Sequence, residues 1–285
     1  MDETPDLDGL MVPVDGHRDI ATMWQTFQVF PDNPSIVSVL PTARPRGLFG
    51  PRKIGTAIRV FGKATTGQPT YLRAVNERGV ERSRLVIRVK KAHWWGLKLW
   101  FLHDSTGKIS KRTTEEALGA LAKANQIFEV QANVTFANFN NPPVRKLTSP
   151  GLQKVPVGSA LNWPARSGDI HHALVDSDPT RGAFVLAHVI WINRLEGAEG
   201  EDEGAVTFPK LNPVYIFVND RALPEIAGEV LAHELAHALL DRHSAALGYD
   251  NGHSTNNQDL MFPTAERHGR IRLRLDEVQF INPLR

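Results

Sequence analysis

The sequence predicts an α/β protein in which a mixed β-sheet lies against two long helices, preceded by a small β-rich N-terminal region. Three observations lead to this fold class. Short runs of β-branched residues alternate with turn residues through residues 1 to about 90, which indicates strands. From about Leu97 a strand, a helix and a strand follow one another. Two further strands then lead into a second, largely apolar helix around Val230–Asp241.

The N-terminal region begins with residues 1–55, which are rich in Pro, Gly and Asp, and we expect loop or linker there. Short extended runs are expected inside it, at Thr26–Phe30 and Ile36–Leu40. Strands are predicted next at Thr56–Phe61, Thr70–Val75 and Arg84–Lys90. A composition break near residue 90 predicts two domains, an accessory or pro-region in residues 1–92 and a second domain in residues 93–285.

The second region has a different pattern. Leu97–His103 is predicted as a buried strand, and Thr113–Ile127 as a helix because Thr113 or Thr114 can cap it and acidic residues occupy its first turn. Strands are also predicted at Gln131–Phe136, Phe184–Ile192 and Val214–Asn219. The passage Asn138–Gly168 is rich in Asn, Pro and Gly and is predicted to be a loop.

Composition limits the possible partners. The net charge of the 285-residue chain is only +2, so we expect no nucleic-acid or membrane partner. The chain has no cysteine, which excludes disulfides and a thiolate zinc site. The acidic N-terminus lacks the apolar segment of a secretory signal, and no run reaches the roughly 20 apolar residues of a membrane span. We therefore expect a soluble protein that is cytoplasmic, already processed, or exported without an N-terminal signal.

The strongest motif is H-E-L-A-H within Val230–Asp241. On a helix, His233 and His237 are four residues apart and project from the same face, so both imidazoles can bind one Zn²⁺ from one side. Glu234 follows the first histidine and is placed to act as a general base. The apolar flanks and the alanines of this stretch favour a buried helix.

A second motif, Leu260-Met261-Phe262-Pro263, follows the helix. With H-E-x-x-H it resembles the metzincin superfamily of zinc endopeptidases, and the matrix metalloproteinases within it, whose signature H-E-x-x-H-x-x-G-x-x-H precedes a Met-containing turn. The resemblance covers roughly Leu97 to the C-terminus, with its specific motifs in residues 233–263. It implies a metzincin-like catalytic domain, Glu234 as the catalytic base and Met261 as the apolar floor beneath the metal.

The third metal ligand has two candidates. His243 stands at the family's spacing, but Leu240 occupies the family's Gly position and does not readily adopt the left-handed conformation of a sharp helix exit. If the helix continues to Gly248, His243 faces away from the metal. His253 follows Asp250-Asn251-Gly252, a strong turn pattern, and its distance from Met261 resembles the matrix metalloproteinase arrangement. We favour His253, with His243 as the alternative.

A weaker resemblance lies at Val185–His188, which is similar to the matrix metalloproteinase edge strand along the cleft. In that family the strand pairs with an extended peptide, and its histidine helps to hold a second zinc. The possible partners Asp169, His171 and His172 match the family poorly. We therefore expect His188 to be a partly buried strand residue and the second zinc to be absent.

These motifs predict a zinc-dependent endopeptidase that acts on protein or peptide substrates. One alternative is a SprT-like protease of DNA-bound proteins, which H-E-L-A-H-A-L also resembles; the low net charge and the Met-containing turn disfavour it. Another alternative is a non-catalytic zinc-stabilised binding module. Glu234 disfavours that reading, because a purely structural site needs no base and is normally closed by four protein ligands.

Overall fold

The computed structural model describes residues 10–21, 28–42, 57–65, 69–103, 109–148, 155–156, 185–193, 195–196, 205–208, 213–220, 222–263 and 269–282. This part of the chain is mixed α/β, with more strands than helices. The chain divides into two compact units. The first comprises residues 1–93, 128–134 and 272–285, and the second comprises residues 94–127 and 135–271. The division predicted at residue 92 stays a prediction.

The first unit is built from two small sheets that share one core. Its strands are β1 (Leu10–Pro13), β2 (His17–Ala21), β3 (Gln28–Pro31), β4 (Val37–Thr42), β5 (Ala57–Gly62), β6 (Thr70–Val75) and β7 (Glu81–Lys90). One sheet has the order β1-β7-β6-β3 and the other β2-β5-β4, and only the β1–β7 pair is parallel. Both sheets contribute to one buried aliphatic cluster, formed by Val12, Val37, Ile58, Val60, Leu72, Ile87 and Val89.

The expectation of loop or linker in residues 1–55 is wrong for β1 and β2, which are paired strands, whereas β3 and β4 overlap the extended runs predicted at Thr26–Phe30 and Ile36–Leu40. The strands β1 and β2 were not predicted at all. β1 pairs with β7 and β2 with β5, so their backbone hydrogen-bond partners come from distant parts of the chain. Local composition does not contain that information. Most of the Pro- and Arg-rich run at residues 41–52 lies outside the described residues.

Most of the larger sheet belongs to the second unit. Its strands are β8 (His93–His103), β9 (Val134–Asn138), β10 (Arg145–Thr148), β11 (Val155–Pro156), β12 (Val185–Ile192), β13 (Leu195–Glu196), β14 (Ala205–Phe208) and β15 (Val214–Asn219). The sheet order is β10-β8-β12-β15-β14, with β9 also paired to β8. Along this order every pair is parallel except β14–β15. The pair β11–β13 forms a separate two-stranded sheet.

The helices are α1 (Thr114–Ala132), α2 (Ala227–Leu240), α3 (Ser244–Leu247) and α4 (Leu275–Ile281), with a 3₁₀ turn at Asp241–His243. The two long helices that the sequence predicted are thus present. Thr113 and Glu116 form the reciprocal hydrogen bonds of a capping box at the start of α1. The helix continues to Ala132, and Asn133 ends it with a left-handed φ of 54°. The next strand consequently begins at Val134 rather than at Gln131.

The helix α2 is buried along most of its length and packs against β14 and β15. Every residue of β15 is buried, as expected for a strand covered on both faces. Among the described residues, no helix combines the length and hydrophobicity that a membrane crossing requires.

Lys90, at the end of β7, is a buried cation within the first unit, only 2% exposed. Its ammonium donates a hydrogen bond to the backbone carbonyl of Asn282, just after α4. The Asn282 side chain in turn donates to the carbonyls of Lys91 and Ala132, at 3.1 and 2.8 Å. Burial, and then the nearby Arg88, lowers the pKa of Lys90 to about 8.

Lys90→Met removes both the buried ammonium and the hydrogen bond that it donates to the Asn282 carbonyl, so its effect on the free energy of unfolding is expected to depend on pH. Between pH 8 and 10.5 the unfolded chain keeps the proton that the folded protein has lost, so the wild type gains up to about 3 kcal/mol as pH rises. The free energy of unfolding of the variant, taken relative to wild type, should therefore fall between pH 8 and 10.5. Urea unfolding of both proteins from pH 7 to 10.5 measures it, and two parallel stability curves would contradict the assignment.

Candidate metal centre

The first two candidate ligands lie on α2, where His233 and His237 project from the same face as the sequence predicts. Their Nε2 atoms are 3.0 Å apart, and their ring planes are perpendicular at 89°. His233 is only 2% exposed, whereas His237 is half-buried. The pair therefore has a buried member and a member near the surface.

His253 is brought to this pair by a tight turn. Asp250 and His253 exchange two backbone hydrogen bonds, of 3.0 and 2.8 Å. The residues between them, Asn251 and Gly252, have φ values of 48° and 82°, as a type I′ turn requires at both central positions. A Cβ atom on Gly252 would lie 3.6 Å from His237 Cε1, so the turn passes close to the helix.

The three imidazoles point to one centre. His253 Nε2 lies 3.2 Å from His237 Nε2, and one ring nitrogen from each of the three histidines lies within 4.8 Å of the others. The ring plane of His237 is perpendicular to those of His233 and His253. No fourth histidine or carboxylate joins this cluster among the residues that the structure describes. The three side chains form a site that can hold a metal ion.

The donor set fits a cation better than hydrogen bonds between the rings. His233 Nδ1 lies 2.7 Å from the carbonyl oxygen of Leu260, which can only accept, so Nδ1 carries the hydrogen. In the neutral ring, His233 Nε2 is then a lone pair aimed at the centre. His237 Nε2 lies 3.0 Å from His233 Nε2 and 3.2 Å from His253 Nε2. The one hydrogen that His237 Nε2 can carry cannot be donated to both of these nitrogens. A cation satisfies all three lone pairs together, and tetrahedral Zn–N bonds separate nitrogen ligands by about 3.3 Å.

The loop that supplies the Leu260 carbonyl is closed by its own hydrogen bonds. Ser254 donates its backbone N–H to the carbonyl of Met261 at 2.9 Å, and its hydroxyl to Asp259 at 2.6 Å. Ser254, Asp259, Leu260 and Met261 are all buried. The loop therefore places the Leu260 carbonyl firmly against α2. The predicted role of Met261 as the floor of the site stays a prediction.

His243, the alternative third ligand, lies outside the cluster. It ends the 3₁₀ turn at Asp241–His243, and the chain continues as α3 to Leu247. Gly248 then stops the helix with a left-handed φ of 66°, while Leu240 keeps a right-handed conformation, both in line with the sequence argument. Burial, and then the adjacent Arg242, lowers the pKa of His243.

Glu234, the candidate base, is buried on α2 and contacts a strand residue that the sequence analysis missed. The hydroxyl of Thr207, on β14, lies 2.6 Å from Glu234 Oε2 and 3.1 Å from the backbone carbonyl of Glu234. β14 has only four residues, too few for a clear alternating pattern. The Leu260 carbonyl was missed as well, because a backbone ligand leaves no trace in residue type.

The expected edge-strand role of Val185–His188 is wrong. These residues belong to β12, which pairs with β8 on one side and β15 on the other, so both edges are occupied. His188 is 5% exposed, and its Nδ1 accepts a hydrogen bond of 3.0 Å from the Trp100 indole. It is a core histidine of the sheet. The other candidate partners of a second zinc, at positions 169, 171 and 172, lie outside the described residues.

Comparison with protein-family models and with curated proteins gives no match to this chain. The interpretation of the site therefore depends on its own geometry and chemistry.

Each of the variants His233→Ala, His237→Ala and His253→Ala is expected to lower zinc affinity sharply, because each removes one of three converging nitrogens. His243→Ala is the matched control and should keep about one zinc per chain. Metal analysis after dialysis against a weak chelator gives the stoichiometry. Zinc lost in His243→Ala but retained in His253→Ala would overturn the ligand assignment.

Met261→Leu is expected to keep the zinc stoichiometry and to lower the stability of the fold by less than about 1.5 kcal/mol. The two side chains have similar volumes, but Leu is branched and less adaptable at a fully buried position. Thermal unfolding and metal analysis of the same samples separate the two effects. Loss of zinc with an unchanged melting temperature would show that Met261 acts on the metal directly.

Proposed function

We propose that this protein is a zinc-dependent endopeptidase that hydrolyses peptide bonds in protein or peptide substrates. The observation that carries the proposal is the approach of His253 to the His233–His237 pair, with a buried glutamate adjacent to the first ligand. Three imidazoles with no fourth histidine or carboxylate ligand among the described residues are typical of catalytic rather than structural zinc sites.

Zinc is the metal that best suits this donor set. Imidazole ligands suit Zn, Cu, Fe and Ni, whereas Ca²⁺ and Mg²⁺ prefer oxygen. His237 and His253 are half-buried whereas His233 is buried, so in this proposal the substrate approaches the metal from the side of His237 and His253. A bound Zn²⁺ would polarise the scissile carbonyl and lower the pKa of a water toward about 7.

Glu234 acts in this proposal as the general base. Its carboxylate accepts the proton of the attacking water and then delivers it to the leaving amine, as general acid. It belongs to the same rigid helix as two of the ligands, so its backbone is fixed relative to the metal. The hydrogen bond at Oε2 constrains its side chain.

The substrate would bind along β14. This strand lies at the end of the sheet order, so its outer edge has no strand partner within the described residues. An extended peptide can add to such an edge through main-chain hydrogen bonds. Because β14 also contacts α2, a peptide held there would lie beside the helix that carries Glu234.

Glu234→Gln is expected to keep the fold and the bound zinc but to lose nearly all peptidase activity. The amide cannot take the proton of water, and general acid–base assistance contributes roughly 10²–10⁴-fold to the rate. A casein digest, followed by kinetics on a cleaved peptide, measures the loss. Metal analysis of the same preparation shows that the site is intact.

The controls separate the alternatives. A wild-type protein that binds zinc but cleaves no casein or peptide would favour a non-catalytic zinc module. Cleavage that requires DNA would favour a protease of DNA-bound proteins. Near-wild-type activity in Glu234→Gln would remove Glu234 from the mechanism.

A further inference from the structure

We propose that Thr207 is a positioning residue for the general base: its hydroxyl, on the edge strand β14, holds the Glu234 carboxylate in place for proton transfer. This inference rests on the proposed peptidase function and identifies how the strand and the base are coupled. Thr207 acts through Glu234 and is not assigned any contact with the substrate's reacting atoms.

The contact itself is short and has a clear direction. In the proposed function Glu234 is ionised before it takes a proton, and an ionised carboxylate can only accept, so the Thr207 hydroxyl donates to Glu234 Oε2 across 2.6 Å. Distances of 2.5–2.7 Å are typical of an O–H donor and a charged acceptor, which is among the stronger kinds of hydrogen bond. The backbone carbonyl of Glu234 lies 3.1 Å from the same hydroxyl. The hydroxyl therefore sits between the main chain and the side chain of one residue.

The strand register explains why Thr207 faces the helix. Its neighbours Val206 and Phe208 pack in the core cluster with Phe217 and Tyr215, their partners on β15. Side chains alternate along a strand, so Thr207 points to the opposite face. α2 contacts β14 and carries Glu234. A polar side chain on this face is thus directed at the base.

The consequence is a direct link between peptide binding and proton transfer. A glutamate has three side-chain torsions, and a buried carboxylate must be held in one rotamer to meet the attacking water. Thr207 supplies that restraint from the strand along which the peptide would lie. A peptide that pairs with β14 would fix the strand and, through the hydroxyl, the base.

The test compares Thr207→Val, which keeps the shape and removes the hydroxyl, with Thr207→Ser, which keeps the hydroxyl. We expect kcat of Thr207→Val to fall about 10- to 100-fold, the range that the loss of a hydrogen bond to a charged group corresponds to. The KM and the zinc content should stay close to wild type, because the substitution keeps the main-chain groups of β14 that would pair with a peptide and leaves the three histidines unchanged. Thr207→Ser should restore kcat to within about threefold of wild type.

Ser110→Ala is a matched control. Ser110 donates a hydroxyl hydrogen bond of the same length, 2.6 Å, to a carboxylate oxygen of Asp220 in the same unit, and neither residue belongs to the histidine cluster. Loss of the Ser110–Asp220 hydrogen bond should lower the melting temperature by an amount similar to that in Thr207→Val. It should leave kcat unchanged. An equal loss of kcat in both variants would show a general effect on stability and overturn the positioning role.

A measurement that does not use activity tests the contact separately. Unfolding of the full-length chain, with and without added Zn²⁺, is compared for Thr207→Val, Glu234→Ala and the double variant. The two side chains are expected to be coupled, so the double variant should lose less stability than the sum of the single losses. Additive losses, or a kcat of Thr207→Val equal to wild type, would overturn the inference. A wild-type protein without peptidase activity would refute the proposed function, while the unfolding cycle would still report whether the contact exists.

Discussion

The hydrogen bond between His233 Nδ1 and the Leu260 carbonyl is the interaction on which the rest of the site depends. It connects α2, which carries the candidate ligands His233 and His237, with the loop that follows the third candidate ligand, His253. It also fixes the tautomer, because the carbonyl requires the hydrogen on Nδ1 and so directs the Nε2 lone pair to the centre. The loop can supply this carbonyl because Ser254 closes it, through a backbone bond to Met261 and a side-chain bond to Asp259. These bonds are buried, so breaking any of them would leave polar groups unsatisfied.

The turn at Asp250–His253 imposes the second constraint. His253 reaches the helix only because Asn251 and Gly252 both adopt positive φ and reverse the chain within two residues. Gly252 lies so near the end of α2 that an added Cβ would be 3.3 Å from a carboxylate oxygen of Asp241, the residue that follows the helix. Conformation and space therefore both favour glycine there. The chain does not turn sharply at Leu240, which keeps a right-handed conformation. It continues through the 3₁₀ turn and α3, and it changes direction at Gly248 instead.

The edge of the sheet supplies the third constraint. β14 is the antiparallel strand at the end of an otherwise parallel order, and it lies against α2. In the proposed function one short strand offers its outer edge to a peptide and its Thr207 hydroxyl to the base. Substrate binding and catalysis would then share a rigid element, because β14 is anchored through Phe208 in the core cluster.

The sequence by itself determined the features that depend on a local pattern of residues. The helix α1 follows from its capping residue and acidic first turn, and α2 from its apolar residues and alanines. The buried strand Val214–Asn219 follows from its apolar run, and the two candidate ligands on α2 follow from helical spacing. Asn251 and Gly252 identify a tight turn from residue type alone, since few other residues adopt positive φ. That turn made His253 a candidate ligand, and the structure brings it to the pair.

Only the tertiary structure decided which distant segments meet. β1 and β2 look like loop in the sequence because their partners, β7 and β5, lie far along the chain. Val185–His188 resembles an edge strand, yet both of its edges are paired, and strand order is a global property of the sheet. Thr207 and the Leu260 carbonyl have no local pattern at all. Their roles come from the packing of β14 and the buried loop against one helix, which no periodicity or spacing encodes.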